Sequence, residues 1–166
     1  SKAVSRGTSV KLGVICDGIS RDLKHSLDVM DEFDLEYAEL QFVGDSEVGD
    51  HSAGKIREID SLLRDRGKPV SCLSRHIFAG MTGANRPGDE LHTKHMDALK
   101  RVIDMAHIVS SPLVRIMTPK KEQILWGMNG AEKWNVAHGA WEAQLPLLAP
   151  AIDVAKQAGI ILVVET

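Results

Sequence analysis

The sequence predicts an α/β fold on a parallel sheet, and within that class a (β/α)8 barrel. This chain supplies about the first five strands and four helices of such a barrel. Three observations carry the prediction. Five apolar, strand-like runs alternate with four helical patterns, which demands a parallel sheet with helices outside it. Neither glycine-rich phosphate fingerprint follows the first strand: Asp17-Gly18-Ile19-Ser20 is not GxGxxG, and no P-loop motif occurs. That argues against the open nucleotide-binding sheets. The third observation is a polar residue on one face of each of four strands, toward its C-terminal half.

The first strand is read as Lys11 to Cys16 (KLGVIC), after a loose polar tail over residues 1–8. Residues 9–166 are then the N-terminal part of one barrel domain. Ser20 stands where an N-cap belongs, ahead of Leu23, Leu27 and Met30 at helical spacing. Tyr37 to Val43 (YAELQFV) is the second strand, and a polar loop with Asp45, Glu47 and Asp50 follows it. The next helix places Ile56, Ile59, Leu62 and Leu63 on one face and ends at Gly67, with Pro69 forbidding continuation. Val70 to Phe78 (VSCLSRHIF) is the third strand. Asp89 caps a helix whose buried stripe is Met96, Leu99, Val102, Ile103 and Ala106. Leu113 to Met117 (LVRIM) is the fourth strand. A long irregular stretch from Thr118 to about Val136 carries Trp126 and Trp134; long loops in compact domains are more often functional or mobile than neutral. The last helix sets Trp141, Leu145, Leu148, Ile152 and Ala155 on one face, with Pro146 and Pro150 expected to bend or interrupt it.

Gly159 closes that helix, and Ile160 to Val164 then form an unbroken apolar run that ends on Glu165. Such a run reads as a strand buried on both faces. A carboxylate at its end is costly to bury unless it is paired or holds a metal; the bland alternative is a first solvated loop residue. Alternation of side chains decides which groups travel together. Glu39 and Gln41 share a face opposite Ala38, Leu40 and Phe42. Cys72, Ser74 and His76 share another, Arg115 aligns with Leu113 and Met117, and Glu165 aligns with Ile161 and Val163. In a barrel these faces point inward, and Glu39, Gln41, His76, Arg115 and Glu165 converge at the catalytic mouth. Arg75 falls on the outward face, so it must reach solvent past a helix or take part at the mouth.

Composition removes several function classes. With 43% hydrophobic and 26% charged residues the chain is an ordinary globular domain. A formal net charge of -3 gives no electrostatic case for nucleic acid or an anionic membrane, and 4% aromatics leave few stacking platforms. Cys16 and Cys72 both fall inside strands, which fits reduced, core-packed thiols and a cytoplasmic location. No stretch approaches membrane-spanning length.

The opening KLGV strand, the YAEL strand with Glu39, the strand carrying His76 and above all LAPAIDVAKQAGIILVVE together resemble one family. The chain from Lys11 to Thr166 is similar to the xylose-isomerase-like TIM barrels, specifically the sugar phosphate isomerase/epimerase family. Its last helix and strand resemble the family's A-x-x-A-x-x-x-G helix followed by an apolar strand ending in a metal-binding glutamate. Many members continue Glu-Asn, whereas this chain reads Glu165-Thr166, which leaves the subfamily open. The resemblance implies that Glu165 is the first ligand of a divalent ion, Mn²⁺ or Mg²⁺ in a carboxylate-rich shell, with Zn²⁺ or Co²⁺ as alternatives. The family's other ligands come from strands six to eight, so the fragment as given is expected to be inactive alone.

By the same resemblance the reaction is isomerisation or epimerisation of a sugar, keto-sugar or sugar phosphate through a metal-stabilised enediolate. Glu165 and His76 are the implied catalytic groups. Arg115, Glu39, Gln41 and Trp126 are the implied substrate contacts, Arg115 suiting an anionic sugar acid or phosphate. Structural readings stand beside these: Arg115 in an internal ion pair with Glu39, Glu39 as a pairing group, Trp126 pinning its loop. His25, His51, His92, His95, His107 and His138 are read as surface or helix residues, although His92 and His95 stand three apart, a spacing that can bind metal. The expected partner is a small-molecule sugar or sugar acid, with no nucleic acid and no membrane; a homo-oligomer is left open. The alternative in the same fold is a metal-dependent dehydratase of an inosose or dehydroshikimate-like substrate. Less favoured are a non-catalytic barrel and an apurinic-site endonuclease.

Overall fold

The computed structural model describes residues 10–119 and 140–165. Five strands make one parallel sheet: β1 (Gly13–Ile15), β2 (Tyr37–Leu40), β5 (Val70–Ser74), β6 (Leu113–Met117) and β7 (Ile161–Glu165), in the spatial order β1-β2-β5-β6-β7. Strand order follows chain order without reversal, whereas a doubly wound sheet reverses at a switch point. The connecting helices are α1 (Leu23–Glu32), α2 (Ala53–Asp65), α3 (Glu90–Ile108) and α4 (Ala140–Gln157), each packed beside the next. Parallel strands in sequence order, the first four each followed by a helix, form a partial barrel wall. The predicted tail over residues 1–8, and Trp126, Trp134 and His138, lie outside the described residues.

The core lies between sheet and helices, and local sequence explains most of it. Ala38, Leu40, Leu73, Val114 and Ile116 are the buried outward side chains of the strands. They meet Leu27 and Met30 of α1, Ile59 and Leu63 of α2, and Leu99, Val102 and Ala106 of α3. Asp89 caps α3 through the His92 amide, and Ser52 caps α2 through the Lys55 amide. Gly67, with φ +61°, takes the left-handed position past the end of α2.

Seven expectations are corrected. The first strand is shorter, Gly13–Ile15, and Cys16 begins a 3-10 turn after it. The last strand is not buried on both faces, since Ile161 is 61% and Val164 48% exposed. The cap of α1 is Asp22, which accepts from the Lys24 amide; Ser20 instead accepts from the Asp22 amide one turn earlier. The predicted second strand breaks after Leu40: Phe42–Val43 (β3) turns back on Ser46–Glu47 (β4) as an antiparallel hairpin. Val43-Gly44-Asp45-Ser46 is a two-residue hairpin turn, and Gly44 has the positive φ of +62° such a turn requires. The third strand stops at Ser74, because the chain turns over the following residues and Phe78 takes φ +67°, a conformation no strand contains.

On α4 the buried stripe is Leu147, Ala151 and Ala155, while Leu145 and Ile152 are more than half exposed. The small alanines let the helix approach the core closely, and that geometry overrides the larger side chains. Pro146 and Pro150 do not interrupt α4, which runs on through both.

The strands end at one side of the sheet, and their inward faces are in register there. Glu39 pairs with Cys72, Ser74 with Arg115, Arg115 with Val163 and Met117 with Glu165. A register irregularity between Ala38 and Glu39 brings Glu39 to that level. The hairpin folds over the same ends, on the side of β2 and β5.

Candidate active site at the strand ends

Two clusters and a separate hydrogen-bonded pair occupy the strand ends. The first is built on His76, immediately past β5. Glu47, from the hairpin, accepts from the His76 backbone N–H at 3.0 Å and from its Nδ1 at 2.8 Å. The Gln41 side-chain amide lies 3.1 Å from His76 Nε2. The Phe42 ring stands 6.3 Å from the imidazole, centre to centre. Sequence alternation placed Gln41 and His76 together, and the structure brings them into contact. Glu47 appeared in the sequence only as a polar loop residue, and the Gly44-Asp45 turn was the signal that could have placed it.

Arg75 does not reach solvent past a helix, the first of its two expected fates; it lies behind the strand ends against Glu47. It is buried, donating to the Val48 carbonyl and, at 2.6 Å, to Asp50. Its Nε also lies 3.6 Å from Glu47 Oε2. A buried guanidinium needs its donors satisfied, and the segment after the hairpin supplies the acceptors. Asp50 binds Arg101 of α3 as well, at 2.8 Å. Burial opposes ionisation at Asp50 and is the largest single effect on it. Hydrogen bonds and charge from Arg75 and Arg101 together outweigh it and hold the carboxyl below its usual range.

The second cluster is Arg115 and Glu165, on neighbouring strands, with Arg115 Nη1 2.8 Å from Glu165 Oε2. This corrects the structural reading of Arg115: its carboxylate partner is Glu165, not Glu39. The register explains the choice, since the guanidinium reaches one step along β7 from its Cα partner Val163. Glu39 accepts instead from the Ser74 hydroxyl, which ties β2 to β5. Beneath it, Cys72 has its thiol pushed up, chiefly by burial, with the Glu39 charge adding to the effect. Among the described residues no hydrogen bond or ion pair joins His76 to the Arg115–Glu165 pair.

The described residues do not make a metal site by themselves: no group of three His, Cys, Asp or Glu side chains among them could hold an ion. Glu165 offers one carboxylate, open to solvent and with one oxygen on Arg115. His92 and His95 are committed elsewhere. His92 Nε2 donates to the Leu147 carbonyl at 3.0 Å, and its Nδ1 accepts from the Gly88 amide. His95 Nδ1 accepts from the Phe78 amide at 3.1 Å, and burial holds its pKa down. Trp126 lies outside the described residues.

A family model described as xylose isomerase-like TIM barrel matches residues 27–166. The chain belongs to the xylose isomerase-like TIM barrel family. No curated protein matches the sequence. Among solved structures, a D-tagatose 3-epimerase-like protein matches with a TM-score of 0.63 at 17% identity, over 95% of this chain and 53% of its own. A sugar phosphate isomerase/epimerase from Parabacteroides distasonis matches at TM-score 0.58 and 15% identity, over 97% and 52%. A xylose isomerase-like TIM barrel protein from Mycobacterium smegmatis, in complex with magnesium, matches at TM-score 0.58 and 18% identity, over 86% and 46%. At these identities the likeness is one of fold. The chain spans about half the length of the structures it matches. No described helix is long and apolar enough to cross a membrane.

Proposed function

We propose that this chain forms the substrate-facing half of a sugar isomerase or epimerase that moves a proton on the carbon next to a carbonyl. The supporting observation is the row of Glu39, Ser74, Arg115 and Glu165 on one face of the strand ends, in a barrel of this family. Glu165 ends β7 with one carboxylate oxygen on Arg115 and the side chain more than half exposed among the described residues. A carboxylate so placed can take a proton from a carbon acid and return it. Arg115 orients it through a charge-assisted hydrogen bond and can turn to a substrate carboxylate or phosphate. His76 and Gln41 present hydrogen-bonding groups to sugar hydroxyls, and Glu39 does so from β2. A divalent ion, Mn²⁺ or Mg²⁺, completed by ligands outside the described residues, would supply electrostatic stabilisation of the charge that develops on the substrate oxygens. The similarity to a D-tagatose 3-epimerase-like protein and to a sugar phosphate isomerase/epimerase supports the substrate class of small sugars or sugar phosphates. A cytoplasmic location belongs to the same reading.

The test is the whole protein that carries this chain, incubated with ketoses, aldoses and sugar phosphates in deuterated water. Deuterium entering the carbon beside the carbonyl, together with epimer or isomer formation, is expected; Glu165→Gln abolishes both. Loss of water from the substrate instead would assign the dehydratase reaction of the same fold. No exchange and no turnover with any candidate would overturn the proposal.

A further inference from the structure

We infer that Glu47 is a positioning residue that locks His76 in the tautomer whose Nε2 lone pair faces the mouth, so that His76 accepts a hydrogen bond from a substrate hydroxyl. This rests on the proposed reading of His76 as a substrate contact. The ring's partners carry the assignment. Glu47 Oε1 lies 2.8 Å from Nδ1 and also takes the His76 backbone N–H at 3.0 Å. A carboxylate oxygen can only accept, so Nδ1 bears the proton. Nε2 is left as a lone pair, the reverse of the form a free neutral imidazole favours. The Gln41 amide nitrogen lies 3.1 Å from Nε2 and 3.2 Å from Nδ1, so it stands over the ring face and occupies neither nitrogen's in-plane position; among the described residues the Nε2 lone pair is left for a substrate hydroxyl. The imidazole is half exposed while Glu47 is mostly buried, so the orienting group sits behind a ring that looks outward.

Glu47 is itself braced from behind. Arg75 Nε approaches its second oxygen, and Arg75 is tied to the Val48 carbonyl and to Asp50, which Arg101 of α3 holds in turn. The brace runs from a helix to the hairpin without touching the imidazole. An acceptor nitrogen at the mouth welcomes a hydroxyl proton and repels the lone pairs of a carboxylate or phosphate oxygen. His76 therefore selects a hydroxyl-bearing part of the substrate, and the anionic group, where present, falls to Arg115.

The experiment is ¹⁵N NMR of the histidine rings in this chain at alkaline pH. His76 is expected to show Nδ1 at the protonated position and Nε2 at the unprotonated one. Glu47→Ala should move the proton to Nε2. Glu47→Gln, whose carbonyl oxygen can still accept, should keep it on Nδ1. Asp50→Asn loosens the hairpin without touching the ring and should leave the tautomer unchanged. If Glu47→Ala does not fold, Glu47→Asp, which keeps the charge and shortens the reach, gives the same readout. In an active whole protein, Glu47→Ala should lower kcat/KM by about 10- to 100-fold, the loss of one hydrogen bond to a charged group, with recovery in Glu47→Gln. A wild-type ring protonated on Nε2, or a tautomer indifferent to Glu47→Ala or Glu47→Asp, would overturn the inference. An inactive whole protein with His76 protonated on Nδ1 would reject the proposed reaction alone.

Discussion

Arg115 Nη1 stands 2.8 Å from Glu165 Oε2, yet the two side chains differ sharply in solvation, 11% exposed against 58%. The pair is one-sided in consequence. Removing Arg115 leaves a carboxylate that water already covers, whereas removing Glu165 leaves a guanidinium that water hardly reaches. An exposed charge loses about 0–1 kcal/mol with its partner, while a hydrogen bond to a charged, poorly solvated group is worth about 1.5–3 kcal/mol.

Glu165→Ala, which leaves the guanidinium no acceptor at that position, is therefore expected to destabilise the fold by more than Arg115→Met does. Urea denaturation of both variants and of the double variant measures this, the double being close to Arg115→Met alone. Equal losses from the two single variants would show that Arg115 is solvated after all.

Asp89 predicts an acid limit. Its carboxylate accepts from the His92 and Arg86 amides and from the Asn85 side chain. These bonds, the His92 amide first, lower its pKa from 3.8 to about 2. A depressed folded pKa means stability that is fully present above pH 3.8 and is lost as pH falls toward 2. Asp50, also held low, adds in the same direction. Asp89→Ala should be less stable than the parent at neutral pH, with the gap closing near pH 2. Thermal melts across that window test it, and a gap that persists unchanged at pH 2 would rule out the carboxylate as its source.

The thiols predict slow chemistry. Burial, then the nearby Asp17 and Glu39 charges, push the Cys16 thiol up to about 12, and Cys72 is raised for the same first reason. The thiolate is the reactive form. Neither cysteine should be alkylated near neutral pH in the folded chain, and both should react at once in denaturant. Labelling of the native chain at the rate of a free thiol would contradict the described packing.

The place of Glu165 at the end of β7, the inward register of Arg115, the Asp89 cap and the strand Leu113–Met117 were all legible in the sequence, because each depends on local signals: an apolar run, an alternation, an acid before a helix. The sequential sheet order followed from the alternation of elements. Glu47 was not legible, because its contact with His76 closes over 29 residues and exists only after the hairpin forms. Arg75 misled for a related reason. Its position on the outward face was right, but alternation cannot say that Val48 and Asp50 will be waiting there. On α4, three leucines and an isoleucine competed for burial, and the close approach at Ala151 and Ala155 decided among them.

Gly49 predicts where the hairpin segment is pinned to the scaffold. Its φ is +89°, and a Cβ there would lie 2.8 Å from the Val102 backbone nitrogen in α3. Helix backbone cannot shift to make room, so the clash adds to the conformational strain. Gly44, at φ +62°, has nothing within 4 Å and would meet strain alone. Strain of this kind costs about 1–3 kcal/mol per residue. Gly44→Ala should stay within that range, and Gly49→Ala should exceed it. Because Gly49 lies between Glu47 and Asp50, the damage should also reach the site: the His76 ring signals should broaden in Gly49→Ala and stay sharp in Gly44→Ala. Denaturation midpoints and the ¹⁵N spectra of the two variants check both halves. Equal destabilisation would mean that the segment can lift away from α3 freely, and the bracing of Glu47 through Asp50 would then fail as well.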